Sequence, residues 1–101
     1  MVSIVKMIIS FKDKITEKIW NGEFTKSLPK NLHEKAQMKL AIIDAANSVD
    51  ELTIPPSNRL HTLKRNRKGQ YSISINMQYR ICFNFDNENA SEVEINKHYE
   101  K

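Results

Sequence analysis

The spacing of apolar residues changes once along this chain, from helical repetition to strict alternation. In the first half, Leu32, Ala36, Leu40 and Ile43 recur at helical spacing. They predict a long helix running through roughly Val49, with Lys30, Lys35 and Lys39 outside its apolar stripe. Before it, Asp13 is placed to cap a short helix whose Ile15 and Ile19 share a face, and Gly22 stands just past its end. Upstream again, a β-branched and aromatic run predicts a strand around residues 7–11.

In the second half the two prolines of Ile54-Pro-Pro-Ser-Asn58 predict a rigid, extended connection. A short strand over residues 60–63 follows, then a basic loop ending at Gly69. Tyr71, Ile73 and Ile75 alternate with Ser72 and Ser74, and after a turn Tyr79, Ile81, Phe83 and Phe85 alternate with Arg80, Cys82 and Asn84. Residues 86–89 have turn chemistry, and Val93 and Ile95 open a last strand. The predicted fold class is α+β: two N-terminal helices packed on the apolar face of a twisted, mainly antiparallel β-sheet, in one domain spanning residues 1–101. Alternation buries Tyr79, Ile81, Phe83 and Phe85 and sends Arg80 to the opposite face, which Ser72 and Ser74 join. An open polar face of that kind suits a single strand of RNA.

Charge sharpens this picture. The whole chain carries +4, but residues 52–85 contain no Asp or Glu and hold Arg59, Lys64, Arg65, Arg67, Lys68 and Arg80. That stretch therefore carries +6 and leaves −2 to the rest, the footprint of a polyanion-binding face. Arg59, Lys64, Arg65, Arg67 and Lys68, with Asn58 and Lys97, are the candidate RNA contacts.

Cysteine use and hydropathy exclude other classes. Cys82 is the only cysteine, so neither an intramolecular disulfide nor a cysteine-based zinc site is available. His33, His61 and His98 lack metal-ligand spacing, and no metal or other cofactor is expected. The opening apolar run is broken by Lys6, and no stretch is long enough to span a bilayer. A cytoplasmic location without a membrane partner is expected.

RNA is cut without metal when a base takes the 2′-hydroxyl proton, a cation steadies the phosphorane, and an acid protonates the leaving 5′-oxygen. Histidine suits the proton transfers and arginine the phosphate. His61, His98, Tyr99 and Arg80 are the candidate catalytic residues. His61, between leucines, reads equally well as a partly buried structural histidine, and His33 as structural or surface. Cys82 has no positioned base in the sequence to make it a nucleophile.

Ile54-Pro-Pro-Ser-Asn-Arg-Leu-His61, Leu63-Lys-Arg-Asn-Arg-Lys-Gly-Gln-Tyr-Ser-Ile73 and Gln78-Tyr-Arg-Ile-Cys-Phe83 together resemble the HigB branch of RelE-like toxins. That branch has a Pro-Pro-x-Asn-Arg loop, a Gly-Gln-Tyr-Ser-Ile strand and a Trp/Tyr-Arg-x-x-Phe strand. Ile9-Ser-Phe11 and Lys39-Leu-Ala-Ile-Ile-Asp-Ala-Ala46 also look like that family, so the likeness covers nearly the whole chain in order. The resemblance implies a microbial-ribonuclease-like fold and an endoribonuclease that cleaves translated mRNA in the ribosomal A site. It also implies a HigA-type helix-turn-helix antitoxin, through which alone the operator DNA is met. By position, Arg80 is expected to hold the scissile phosphate and His61 to match a catalytic histidine of some members. Lys64, Arg67 and Lys68 match a basic loop that meets ribosomal or messenger RNA.

The tail departs from the family. Members often end Val-Glu-Ile-Val-Asp-Tyr-His, whereas this chain reads Val93-Glu-Ile-Asn-Lys-His-Tyr99. Without a gap, Lys97 stands at the aspartate, His98 at the tyrosine and Tyr99 at the terminal histidine. A one-residue slip restores the histidine but reverses its facing on a strand. His98 and Tyr99 are therefore carried as alternatives for the acid. Two rival functions follow: an RNA- or ribosome-binding translation blocker that does not cut, and a subunit that binds operator DNA directly. The second lacks a helix-turn-helix pattern.

Overall fold

The computed structural model describes residues 8–62, 69–86 and 89–97. Helix α1 (Lys14–Trp20) starts where the Asp13 carboxylate accepts the Thr16 N–H at 2.8 Å, satisfying an amide that the first turn leaves bare. It closes where the N–H groups of Gly22 and Glu23 return to the carbonyls of Ile19 and Lys18, at 3.0 and 2.8 Å. This closure needs left-handed backbone, which Gly22 supplies at φ +83°. The buried pair on α1 is Thr16 and Ile19, not the expected Ile15 and Ile19. Ile15 is exposed, and the Thr16 hydroxyl accepts the Ile95 N–H from the sheet at 2.9 Å.

Helix α2 (His33–Ala45) buries Ala36, Leu40 and Ile43 as its spacing predicts, but it stops short of Val49. Asn47 and Ser48 favour local backbone bonds over helix, and the Asn47 N–H goes to the Glu51 carboxylate at 3.0 Å. Val49–Thr53 then forms a separate 3-10 turn that buries Leu52. Lys39 is a correction: it is 2% exposed, because the buried face runs through positions 36, 39, 40 and 43 and is wider than its apolar letters. The proline connection is extended at Ile54 and Pro55 only. Pro56–Asn58 is a 3-10 turn, and Arg59 follows it with left-handed backbone at φ +47°.

Strands β1 (His61–Thr62), β2 (Gln70–Ser74), β3 (Tyr79–Asp86) and β4 (Asn89–Lys97) form an antiparallel meander in chain order. Ile73 lies opposite Ile81, and Ile81 opposite Ile95, giving the face that packs under the helices. Ile81 and Phe83 are fully buried there, while Tyr79 and Phe85 are half-buried. A bulge interrupts β4, which begins earlier than Val93: Ser91 pairs with Asn84, and the next pair is Glu94 with Cys82. Glu92 turns through φ +52°, and the extra residue lets Ala90 and Val93 both face the core. The upstream strand is present as two parallel bridges, Ile8 to Ala90 and Phe11 to Val93. With Thr16 they cover the outer edge of β4, which would otherwise leave backbone groups unpaired.

Candidate functional site

The β3 alternation carries Arg80 to the face away from the helices, between Ser74 of β2 and Asn96 of β4. Its guanidinium is held, not loose. Nε donates to the Ser72 hydroxyl at 2.9 Å, and Nη2 donates to the carbonyls of Arg59 at 2.6 Å and Ser72 at 3.3 Å. One edge of the fork is thereby fixed to neutral acceptors, which leaves the Nη1 end to meet another group. Burial lowers the Arg80 pKa from its ordinary value; Cys82 opposes that shift and Arg59 reinforces it. The group remains a cation at neutral pH, and such a half-buried cation gains from an added anion.

Ser72 and Ser74 lie on the expected face but are buried, Ser72 beneath the Arg80 bond and Ser74 donating to the Asn76 carbonyl at 2.8 Å. Asn58 lies inside, not on the open face. Its side chain is fully buried, with Oδ1 accepting from Lys39 Nζ at 2.6 Å and Nδ2 donating to the carbonyls of Leu52 and Ile54 at 3.1 and 3.3 Å. With every polar atom bonded inside, it has none to offer an RNA strand; it holds the loop that precedes Arg59.

Arg80 opens into a cleft of about 580 Å³. Its walls come from α2 (Lys35), the proline loop (Ser57, Arg59), β1 (His61), the β2–β3 turn (Ile75, Asn76, Met77) and the sheet (Ser74, Arg80). Among the described residues three cations and an imidazole line it, and no carboxylate does. His61 is exposed and pairs across the sheet with Ser72, which places it on the Arg80 side. Lys35 is a cleft residue that pattern reading leaves outside, since only the packing of α2 beside the proline loop brings it there. Its one sequence signal is that it stands one turn from Lys39 on α2.

Lys97 lies away from the cleft. It pairs with Tyr79 on the helix side of the sheet and lines a smaller recess with Asp13, Ile15 and Ile95. Because side chains alternate, neighbours in sequence diverge, and Asn96, not Lys97, sits opposite Arg80. Cys82 is half-buried on the open face, 3.6 Å from the Asn96 amide and outside the cleft. His33 is structural: Nε2 reaches the carbonyls of Thr25 and Leu28 at 3.0 and 2.9 Å, so that nitrogen carries the donor proton. His98, Tyr99, Lys64, Arg65, Arg67 and Lys68 lie outside the described residues. Among the described residues no helix is long and apolar enough to cross a membrane.

The family of RelE-like toxins of the type II toxin–antitoxin system HigB matches residues 9–98. The chain belongs to this family. It is similar to Toxin HigB-1 of Vibrio cholerae, with 40% identity over 78 residues, covering 76% of this chain and 82% of that protein. It is also similar to Endoribonuclease HigB of Proteus vulgaris, at 33% identity over 84 residues, covering 83% and 90%. Among solved structures, a chain of the YoeB-YefM complex from Staphylococcus aureus matches with a TM-score of 0.60 at 22% identity, covering 91% of this chain and 95% of that one. That likeness is one of fold. In this HigB-type toxin the Pro-Pro-x-Asn-Arg loop thus divides its labour: Asn58 anchors it inward, and Arg59 lines the cleft.

Proposed function

We propose that this toxin is an endoribonuclease that cleaves translated mRNA in the ribosomal A site and so stops protein synthesis. The observation that carries the reading is Arg80, held on neutral acceptors at the wall of a cleft that also contains His61 and, among the described residues, no carboxylate. A phosphodiester in that cleft meets the free end of the guanidinium, and Lys35 and Arg59 add positive charge around it. The 2′-hydroxyl loses its proton to a base, its oxygen bonds to phosphorus, and the bond to the 5′-oxygen breaks as an acid protonates it. His61 serves one proton transfer and His98 or Tyr99 the other, while Arg80 stabilises the charge on the phosphorane. No step requires a metal. Lys64, Arg65, Arg67 and Lys68 add electrostatic anchoring to RNA. The partner that restrains the toxin is a HigA-type antitoxin, which also brings it to operator DNA, all in the cytoplasm.

A rival reading keeps the cleft and drops the chemistry. His61 is exposed and has no orienting hydrogen bond among the described residues, so a factor that occupies RNA without cutting it fits the same face. The deciding experiment maps 5′ ends of a message during in vitro translation with wild type, Arg80→Ala and His61→Ala. Fragments that require translating ribosomes and fall strongly with both substitutions establish the nuclease. Intact message on halted ribosomes establishes the blocker.

A further inference from the structure

Lys39 has no evident reason to be where it is. It is 2% exposed on α2, and its buried ammonium meets the neutral amide of Asn58 and no carboxylate among the described residues. Burial, and then the nearby charge of Lys35, lower its pKa. An apolar side chain of similar length would fill the same space without burying a charge, and such replacements often stabilise a protein. A use other than packing is implied.

That use lies in the direction its donor points. An ammonium can only donate, so it turns Asn58 Oδ1 toward itself and leaves Nδ2 to face the carbonyls of Leu52 and Ile54. The two carbonyls select the same orientation, and an apolar residue at position 39 would leave the buried Oδ1 without the donor that holds it there. With the amide fixed, the Pro56–Asn58 turn is tied to the end of the preceding 3-10 turn. Arg59 then leaves that turn in left-handed backbone, and its carbonyl receives Arg80 Nη2. Two hydrogen bonds, joined through the Asn58–Arg59 peptide bond and braced by the two Asn58 amide donations, thus run from the helix to the guanidinium.

We propose that Lys39 is a positioning residue for Arg80, acting through the Asn58 amide and the Arg59 carbonyl. The proposal rests on the reading above in which Arg80 holds the scissile phosphate. Lys39 touches no substrate; it sets where the Arg80 fork sits when substrate arrives.

The test is a double-mutant cycle of Lys39→Met and Arg80→Ala, read as kcat and KM for message cleavage on translating ribosomes, with 15N NMR of the Arg80 Nε–H in the isolated toxin. Lys39→Met is expected to lower kcat by roughly ten- to a hundredfold, the effect of a slightly displaced group, with KM nearly unchanged. In the Arg80→Ala background it is expected to have no further effect. The Arg80 Nε–H, slow to exchange in wild type, is expected to exchange faster in Lys39→Met. Asn58→Asp, which keeps the acceptor for Lys39 but loses both amide donations, is expected to reproduce the defect and serves where the methionine variant does not fold. If cleavage and Nε–H protection stay at wild-type level in either folded variant while Arg80→Ala is impaired, the positioning role is overturned and the nuclease reading stands. An equal loss from Lys39→Met with and without Arg80 also overturns it. If Arg80→Ala cleaves normally, the assignment of Arg80 to the scissile phosphate fails and the positioning role falls with it, and unchanged Nε–H exchange would separately refute the structural link.

Discussion

The guanidinium of Arg80 donates to the main-chain carbonyl of Arg59 at 2.6 Å, so one cation of the cleft is held by the backbone of another. Two positive side chains are thereby brought close, with no carboxylate of the described residues lining the cleft beside them. The arrangement is tolerable because the hydrogen bonds go to neutral acceptors, and it leaves the net charge of the cleft for an incoming anion.

Substituting Arg80 by lysine tests whether the planar fork, and not charge alone, matters. Lysine keeps the cation but cannot reach Ser72 and Arg59 while also meeting a phosphate from its other end. Arg80→Lys is expected to lower kcat for cleavage by about a hundredfold, the scale of losing a fixed donor to developing charge. Ribosome binding should fall much less. Mapping of 5′ ends with titrated toxin separates the two, and near-normal cleavage would mean that charge suffices.

Lys35 and Arg59 are expected to act on affinity. Each faces the cleft, where no carboxylate of the described residues stands. Lys35→Ala and Arg59→Ala should each weaken ribosome binding and reduce the slope of log affinity against log salt by about one. Sedimentation of labelled toxin with ribosomes over a salt series measures this. An unchanged slope in both would remove them from the RNA interface.

What the sequence made legible follows from periodicity. Helical spacing located α2, alternation put Arg80 on the open face, and Asp13 and Gly22 bracketed α1. What escaped was the polar interior. Lys39 and Asn58 are hydrophilic by type, and only the docking of the proline loop on α2 buries them together. Lys35 entered the cleft by the same docking. Lys97 is different, since counting on from Val93 and Ile95 already puts it on the helix side while its charge alone suggested RNA. The parity of Ala90 depended on a bulge at Glu92 that no pattern announces.

Gly22 offers a stability test remote from the cleft. A Cβ there would sit 3.5 Å from the Gln37 amide, an ordinary contact, so space is not the obstacle. The obstacle is φ +83°, which a side chain disfavours. Gly22→Ala is expected to destabilise the fold by about 1 kcal/mol and to leave cleavage per folded molecule unchanged. Urea unfolding followed by fluorescence of Trp20 gives the first quantity. An unaltered midpoint would mean that the closing turn of α1 relaxes freely.

The buried charge of Lys39 makes a signed prediction about pH. In an unfolded chain a lysine holds its proton up to its ordinary pKa of 10.5, whereas in the folded toxin burial and Lys35 make it release the proton at lower pH. Between those two values the unfolded chain binds more protons than the native state, so this group's contribution to stability rises with pH through that window. Below the folded value the charge is buried at a constant cost, and above 10.5 both states are neutral and the contribution levels off. Other lysines and tyrosines titrate in the same range, so the informative quantity is the unfolding free energy of wild type minus that of Lys39→Met. It is expected to grow as pH rises from neutrality into the alkaline window, measured by urea titration at each pH. A difference that stays flat or falls would mean that Lys39 is not held against a desolvation penalty, and its ammonium would then be reaching water in solution.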